Sequence, residues 1–315
     1  MKIKYFIIQT IFFAIVVTTT CNGQYHYPAT KTVDSSDTNS GFRRNIKFNH
    51  LEVVIDDSTY KYLFDSLKFL KIFAYANEQK VDAGSESWTG KYLYGSSNYL
   101  EIFKPGGAQG NKLGDFGMGF MTNKFGTIDS LQNYWTKALD SVHVENRVIT
   151  DSGKTTPWFT SVSIPNVDSL KVSARVMENA KEEMNDAGFT ENDLSGEIEY
   201  SEYAKHITAK LRNVPFDSVT YKKLFDKVTS VDISLSGKEL SYLKHFLLDI
   251  GFTENNNSFS KEDFVITYSL TESDHFLLKE IGFSLLKKMP REKYSYRKIE
   301  MIVDGDKAKM KFKYD

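Results

Sequence analysis

FNHLEVVI, residues 48–55, and NYLEIF, residues 98–103, decide how this chain is read. Side chains alternate across a strand, so Phe48, His50, Glu52 and Val54 are expected on one face and Leu51, Val53 and Ile55 on the other. In the second segment Tyr99, Glu101 and Phe103 share a face, opposed by Leu100 and Ile102. The aliphatic faces suit packing under a helix. That leaves the faces bearing His50 and Glu101 to line a cavity.

The surrounding sequence repeats a simple plan. After the first strand, Asp57 and Ser58 are helix-capping residues, and Tyr60, Leu63, Phe64 and Leu67 follow at helical spacing. A strand over 70–76 and a hairpin, 91–94 with 98–103, complete a strand–helix–three-strand order. A glycine-rich loop, 105–114, is expected to be mobile and lid-like, and leads into the apolar segment 116–122. A helix over 128–139, strands at 142–150 and 158–164, a long helix from Asp168 to Ala187 ended by Gly188, and a helix over 198–211 are expected next. The last third repeats the first: strand 229–235, a helix opened by the capping box Ser236–Glu239, and strands at 264–270, 280–286, 299–303 and 307–314, with Asp304-Gly305 as a hairpin turn. The segment GFTEN occurs at 188–192 and at 251–255.

With these segments in place, the chain resembles the vicinal-oxygen-chelate superfamily, which includes glyoxalase I and the bleomycin-resistance proteins. The resemblance spans about residues 46–122 and, more loosely, 229–314. It implies an α+β fold of glyoxalase-like βαβββ modules, whose curved mixed sheets enclose a cavity, with extra helices between them. In metal-dependent members a His or Gln on the first strand and a Glu on the last strand of each module hold a divalent metal. His50 and Glu101 match both positions of the first module, and Glu300 in KIEMIV is the candidate for a further ligand. Met118 stands where a second His is usual, and Asp232 is what the strand at 229–235 offers. A ligand set of nitrogen and oxygen without sulfur suits Zn, Ni, Mn or Fe. Such a metal would polarise an oxygenated substrate as a Lewis acid, with Glu52 as candidate general base. Other relatives lack the metal and bind small molecules in the same cavity. Here Phe48, Tyr92, Tyr94, Tyr99 and Phe103 are the candidate ligand-binding surface, beside Trp88.

Composition narrows the partners. Lys plus Arg number 40 against 41 Asp plus Glu, and no basic run is present, so nothing marks a nucleic-acid partner. Hydrophobic residues at 41% and aromatics at 14% supply a substantial core. At the N-terminus Lys2 and Lys4 precede the apolar run Tyr5–Val17, then Thr18–Thr20 and Cys21. This is the layout of an export signal, shorter than the ~20 residues of a membrane-spanning helix. Cys21 is the single cysteine, so no internal disulfide forms. Its position resembles the lipid-modified cysteine of bacterial lipoproteins. Two fates stay open: a lipid-anchored protein of the periplasm or outer membrane, or removal of the cysteine and release in soluble, secreted form.

The expected organisation is therefore a signal at 1–23, a flexible linker at 24–41, the N-terminal module with the start of a second at 42–140, strands and connecting helices at 141–228, and a βαβββ-like module at 229–315. The loop 105–112 lacks P-loop spacing, and Asp115-Phe116-Gly117 lacks the remaining kinase signatures. The leading expectation is an exported small-molecule-binding protein. A metal-dependent lyase, isomerase or dioxygenase and an envelope interaction module are the alternatives.

Overall fold

The computed structural model describes residues 38–313, apart from 84–85, 109, 140, 152, 166–169, 213–222 and 273–276. The expected signal, Cys21 and most of the linker lie outside the described residues. A 3₁₀ helix, Thr38–Asn45, leads into β1 (Ile46–Val54), α1 (Asp57–Ser66), α2 (Phe69–Phe73), β2 (Tyr75–Ala83), β3 (Glu86–Tyr94) and β4 (Tyr99–Phe103). There follow β5 (Phe116–Thr122), α3 (Thr127–Ala138), β6 (His143–Asp151), β7 (Lys154–Ser163), β8 (Val172–Asn179), α4 (Lys181–Asp186), α5 (Glu191–Leu194) and α6 (Tyr200–Arg212). The remainder is β9 (Phe225–Leu235), α7 (Gly237–Asp249), β10 (Thr253–Asn255), β11 (Ser258–Lys261), β12 (Phe264–Leu270), β13 (Leu277–Tyr296) and β14 (Ile299–Phe312).

The strands form two curled mixed sheets of an α+β fold. The first has eight strands in the order β2-β3-β4-β1-β5-β8-β7-β6. β1 runs parallel to β4, β5 runs parallel to β8, and β1 and β5 pair antiparallel at the centre. Two βαβββ units are thus joined edge to edge, the second completed by strands from the stretch beyond residue 140. The second sheet, β10-β11-β12-β9-β13-β14, contains a third such unit. Its β9 is parallel to β12, and β13 takes the antiparallel place beside β9 that β5 holds beside β1.

Local chemistry accounts for the helices. Asp56 caps α1 by accepting the Thr59 N–H, and Tyr60, Leu63 and Phe64 are its buried stripe. The Ser236–Glu239 capping box opens α7, whose Tyr242, Leu243, Phe246 and Leu247 are buried. These stripes meet the aliphatic faces of both sheets, including Leu51, Val53, Leu100 and Ile102 from the first and Val231, Ile233 and Ile266 from the second, in one hydrophobic cluster. A fully buried side chain of this kind contributes ~1.5–3 kcal/mol, so this layer dominates stability over surface ion pairs. Polar joints fix the layers: Tyr242 Oη accepts the Ala174 N–H at 3.1 Å, Trp135 Nε1 donates to Asp249 at 2.9 Å, and Asn98 accepts the Val228 N–H at 2.7 Å. Lys261 Nζ donates to the carbonyls of Arg43, Ile46 and Ile250, each at 2.7 Å.

Several expectations are corrected. Residues 172–179, placed in a long helix, form β8. Val172, Ala174 and Val176 alternate toward the core, a pattern whose i, i+4 pair also fits a helix. The helix that Gly188 ends is only α4, and Gly188 has φ +96°. The strand expected from residue 70 begins at Tyr75, because α2 takes Phe69–Phe73. Asp304-Gly305 is not the hairpin turn. Gly305, at φ +61°, sits inside β14 opposite Met289 at a register irregularity, and the chain turns instead at Arg297, φ +48°. β13 and β14 thereby form one long arm that lies on α1 and α2, where Tyr294 stacks on Phe69 at 4.0 Å and Arg297 donates to Ser58 Oγ at 2.8 Å.

Candidate functional site

The site begins with one extra residue in β1. Phe48 pairs with Phe120 and His50 with Gly119, so Asn49 is a β-bulge. A bulge breaks the alternation and re-aims the side chains beyond it. His50 and Glu52 consequently face away from the helices, while Phe48 turns to the core side, stacked on Phe264 at 3.9 Å and edge-on to Phe120. Phe48 therefore does not share a face with His50; it borders a separate space of about 270 Å³ between the sheets.

His50, Glu52, Tyr99, Glu101 and Phe103 line a cavity of about 390 Å³ inside the first sheet. The sheet curls until its outer strands β2 and β6 touch. Across that closure Trp88 of β3 stacks on Trp158 of β7 at 6.1 Å, and Arg147 of β6 pairs with Glu86 of β3. Arg175 and Ser173 come from β8, Tyr200 and Tyr203 from α6, and Ala108, Gly110 and Asn111 of the glycine-rich loop form part of the rim. Both polar side-chain atoms of Asn111 lack a hydrogen-bond partner among the described residues. Tyr92, directly across from Glu101 in the β3–β4 pairing, and Tyr94 are not among the residues that line the cavity; they stack at 5.8 Å, and Tyr94 stacks on Tyr99 at 5.5 Å. Tyr99 stacks in turn on His50 at 4.7 Å and on Tyr200 at 6.1 Å.

Two glycines make room for the polar groups. A Cβ at position 119 would lie 2.1 Å from His50 Cε1, and one at position 117 would lie 2.6 Å from Glu52 Oε2. The imidazole and the carboxylate lie over β5 because that strand has no side chains there. Met118, the sequence candidate for a ligand position, pairs with Leu51 and is buried in the core.

Glu52 accepts from Arg175 Nη2, and its Oε1 is 3.1 Å from His50 Nε2. Burial would raise the Glu52 carboxyl, but the Arg175 charge and the His50 hydrogen bond outweigh it and hold the group at about 2. Burial pulls His50 below its usual 6.5 against the influence of Glu52, and its Nδ1 lies 2.8 Å from Asn49 Oδ1. Glu101, 9% exposed, is pushed up to about 8 by burial and by the Glu52 charge, with Arg175 and Tyr99 opposing. At neutral pH the wall therefore presents an ionised Glu52, a protonated Glu101 and a neutral His50.

A divalent metal does not fit this donor set. His50 and Glu101 share the cavity wall, but Glu300 lies on β14 of the other sheet, its carboxylate 2.6 Å from Lys293 and 3.2 Å from Lys313. Asp232 pairs with Lys279 there. Where the second unit could supply ligands, it offers Gly117, Gly119 and the Arg175 guanidinium, which occupies Glu52 with a positive charge. Among the described residues no group of three or more His, Cys, Asp or Glu is placed to hold a metal ion. Sequence reasoning missed Arg175, which lies in the stretch expected to be helical; the alternation of VSARVM is compatible with a strand but does not exclude a helix.

The chain belongs to a family of unknown function, DUF5829, whose model matches residues 48–312. No curated protein matches it. Among solved structures it is similar to a hypothetical protein from Staphylococcus aureus, with 12% identity, 79% of this chain and 95% of that chain covered, and a TM-score of 0.49. It is also similar to an extradiol ring-cleaving dioxygenase from B. fuscum, with 11% identity, 70% of this chain and 53% of that chain covered, and a TM-score of 0.36.

Proposed function

We propose that this protein binds a small organic molecule in the cavity of the eight-stranded sheet. The observation that carries the reading is the cavity itself: about 390 Å³, with an aromatic wall and a few converging polar groups, His50, Glu52, Glu101 and Arg175. Ligand pockets have this make-up, with volumes of about 300–1,000 Å³. The unpartnered Asn111 carboxamide at the rim is a further group that a ligand would satisfy. Paired βαβββ units around a cavity are also what the resemblance to the vicinal-oxygen-chelate superfamily implies, and the substitution of Arg175 and two glycines for ligands favours its metal-free, binding members.

Trp88 and Trp158 line the cavity, so their fluorescence reports occupancy. Small molecules that change this fluorescence and raise Tm in the full-length protein should lose both effects in Ser173→Trp, which fills the space from β8. Hits that stabilise the wild type and the filled variant equally would overturn the reading. The N-terminal Lys2–Cys21 pattern supports action outside the cytoplasm, either lipid-anchored or released. The mass of the mature N-terminus in the membrane and soluble exported fractions distinguishes the two, and an unprocessed chain confined to the cytosol would reject export.

A further inference from the structure

Resting on the small-molecule reading, we infer that the cavity selects organic cations, with an alkylammonium group seated against the Glu101 carboxylate within the aromatic lining of the wall. Glu101 is buried on the cavity wall, and among the described residues no Lys, Arg or His comes within ion-pair distance of it. The arginines of the same wall are already matched: Arg175 by Glu52, and Arg147 by Glu86 and Glu145. Glu101 is left as the buried acid without a counter-charge. Carboxylates on the wall outnumber Lys and Arg five to three, so the local field favours a positive guest.

The rings supply the second half of the argument. An ammonium group is attracted to the face of an aromatic ring, and more strongly where water is excluded. Tyr99 is itself stacked against Tyr94, His50 and Tyr200, and Trp88, Trp158, Tyr200 and Tyr203 are further rings that line the cavity. An anionic guest beside Glu101 would instead have to compete with Glu52 for Arg175, and the remaining cation of the wall, Lys171, lies beside Asp115.

Without a ligand, Glu101, which has a hydrogen bond with Tyr99 but no ion-pair partner among the described residues, keeps a proton. The groups facing it are His50 and Glu52 from β1, Tyr92 from β3, Tyr99 from its own strand and Arg175 from β8; burial and the Glu52 charge raise its carboxyl to about 8 against Arg175 and the Tyr99 hydrogen bond. A bound cation takes the place of that proton, which is released to solvent. Binding is thereby linked to pH.

The test compares three molecules of one shape in the full-length protein: choline, the neutral 3,3-dimethylbutan-1-ol and the anionic 3,3-dimethylbutanoate. Calorimetry in two buffers of different ionisation enthalpy counts the proton, and tryptophan fluorescence gives affinity. Choline should bind at least about tenfold more tightly than the alcohol above pH 8, with affinity rising about tenfold per pH unit below that and levelling above it. Glu101→Gln should abolish the preference of choline over the alcohol and the proton release. Its Tm, matched to the wild type at pH 4, checks the fold. Equal or tighter binding of the alcohol or the acid would overturn the cation inference and leave the small-molecule reading standing. Failure of choline to bind at all would also overturn it, whereas the filled Ser173→Trp variant alone decides the broader reading.

Discussion

Arg175 on β8 reaches Glu52 on β1 across an intervening strand, β5, and it does so over Gly117 and Gly119. Strands two places apart in a sheet are about 9.6 Å apart, a span that a guanidinium can bridge only if the middle strand presents no side chain. The ion pair and the two glycines are therefore one feature. It joins the two units at the wall of the cavity.

Gly119→Ala should cost about 1–3 kcal/mol, because the new methyl would overlap the rigid imidazole of His50. Gly117→Ala should cost less, since the nearest atom it meets is the carboxylate end of Glu52 at 2.6 Å and the Glu52 Cβ lies farther off, at 3.1 Å. Urea midpoints at constant m-value test the order. Equal midpoints for both variants and the wild type would show that His50 does not lie over β5.

Arg175→Ala should destabilise by about 2 kcal/mol, less than the loss of a fully buried pair, because the Arg175 side chain is 33% exposed. The sign with pH is set by Glu52, whose carboxyl is lowered from 4.5 to about 2. Its contribution is present above its ordinary value and is lost as pH falls toward about 2, so the wild type loses stability between about pH 5 and 2. The variant should show a flatter acid limb. An unchanged limb would mean that Arg175 does not hold Glu52 ionised.

Glu101 has the opposite sign. Its carboxyl is raised from 4.5 to about 8, so its contribution is complete below the ordinary value and is lost as pH rises through about 8. Glu101→Gln should match the wild type near pH 4 and be more stable than it above pH 8, by ~2 kcal/mol or more. Denaturation at the two pH values checks this, and a deficit for the variant at high pH would contradict the burial of an unmatched acid.

Tyr294→Ala removes the ring stacked on Phe69 and should cost about 1–2 kcal/mol. Amide exchange should quicken in the outer part of the β13–β14 arm and in α1, while the first sheet keeps its protection. Uniform acceleration over the whole chain would show that the arm is not a separate element of stability.

Much of the fold was legible because its cues are local. The capping box of α7, the stripes of Leu63 and Phe64 and of Leu243 and Phe246, and the β1 and β4 segments all arise from side-chain chemistry within a few residues, whereas α1 is capped by Asp56, one residue before the expected Asp57-Ser58. The positions of His50 and Glu101 on strands were legible for the same reason. The bulge at Asn49 was not, since one inserted residue has no compositional mark and reveals itself only through the partner strand. Phe48 was misplaced on that account. Arg175 was hidden differently: Val172 and Val176 satisfy strand and helix periods alike, and only pairing with β5 decides between them. The turn at Arg297 lost to Asp304-Gly305 because turn chemistry also serves a bulge.

The third unit bears on stoichiometry. The helix-bearing face of β9 is spent on the shared core, and its other face carries Asp232 paired with Lys279, next to Glu280 paired with Lys309. A hairpin stands where a fourth unit would have closed a second chamber. Two of the three units close around the chamber lined by His50 and Glu101, and that chamber should saturate at one guest per molecule.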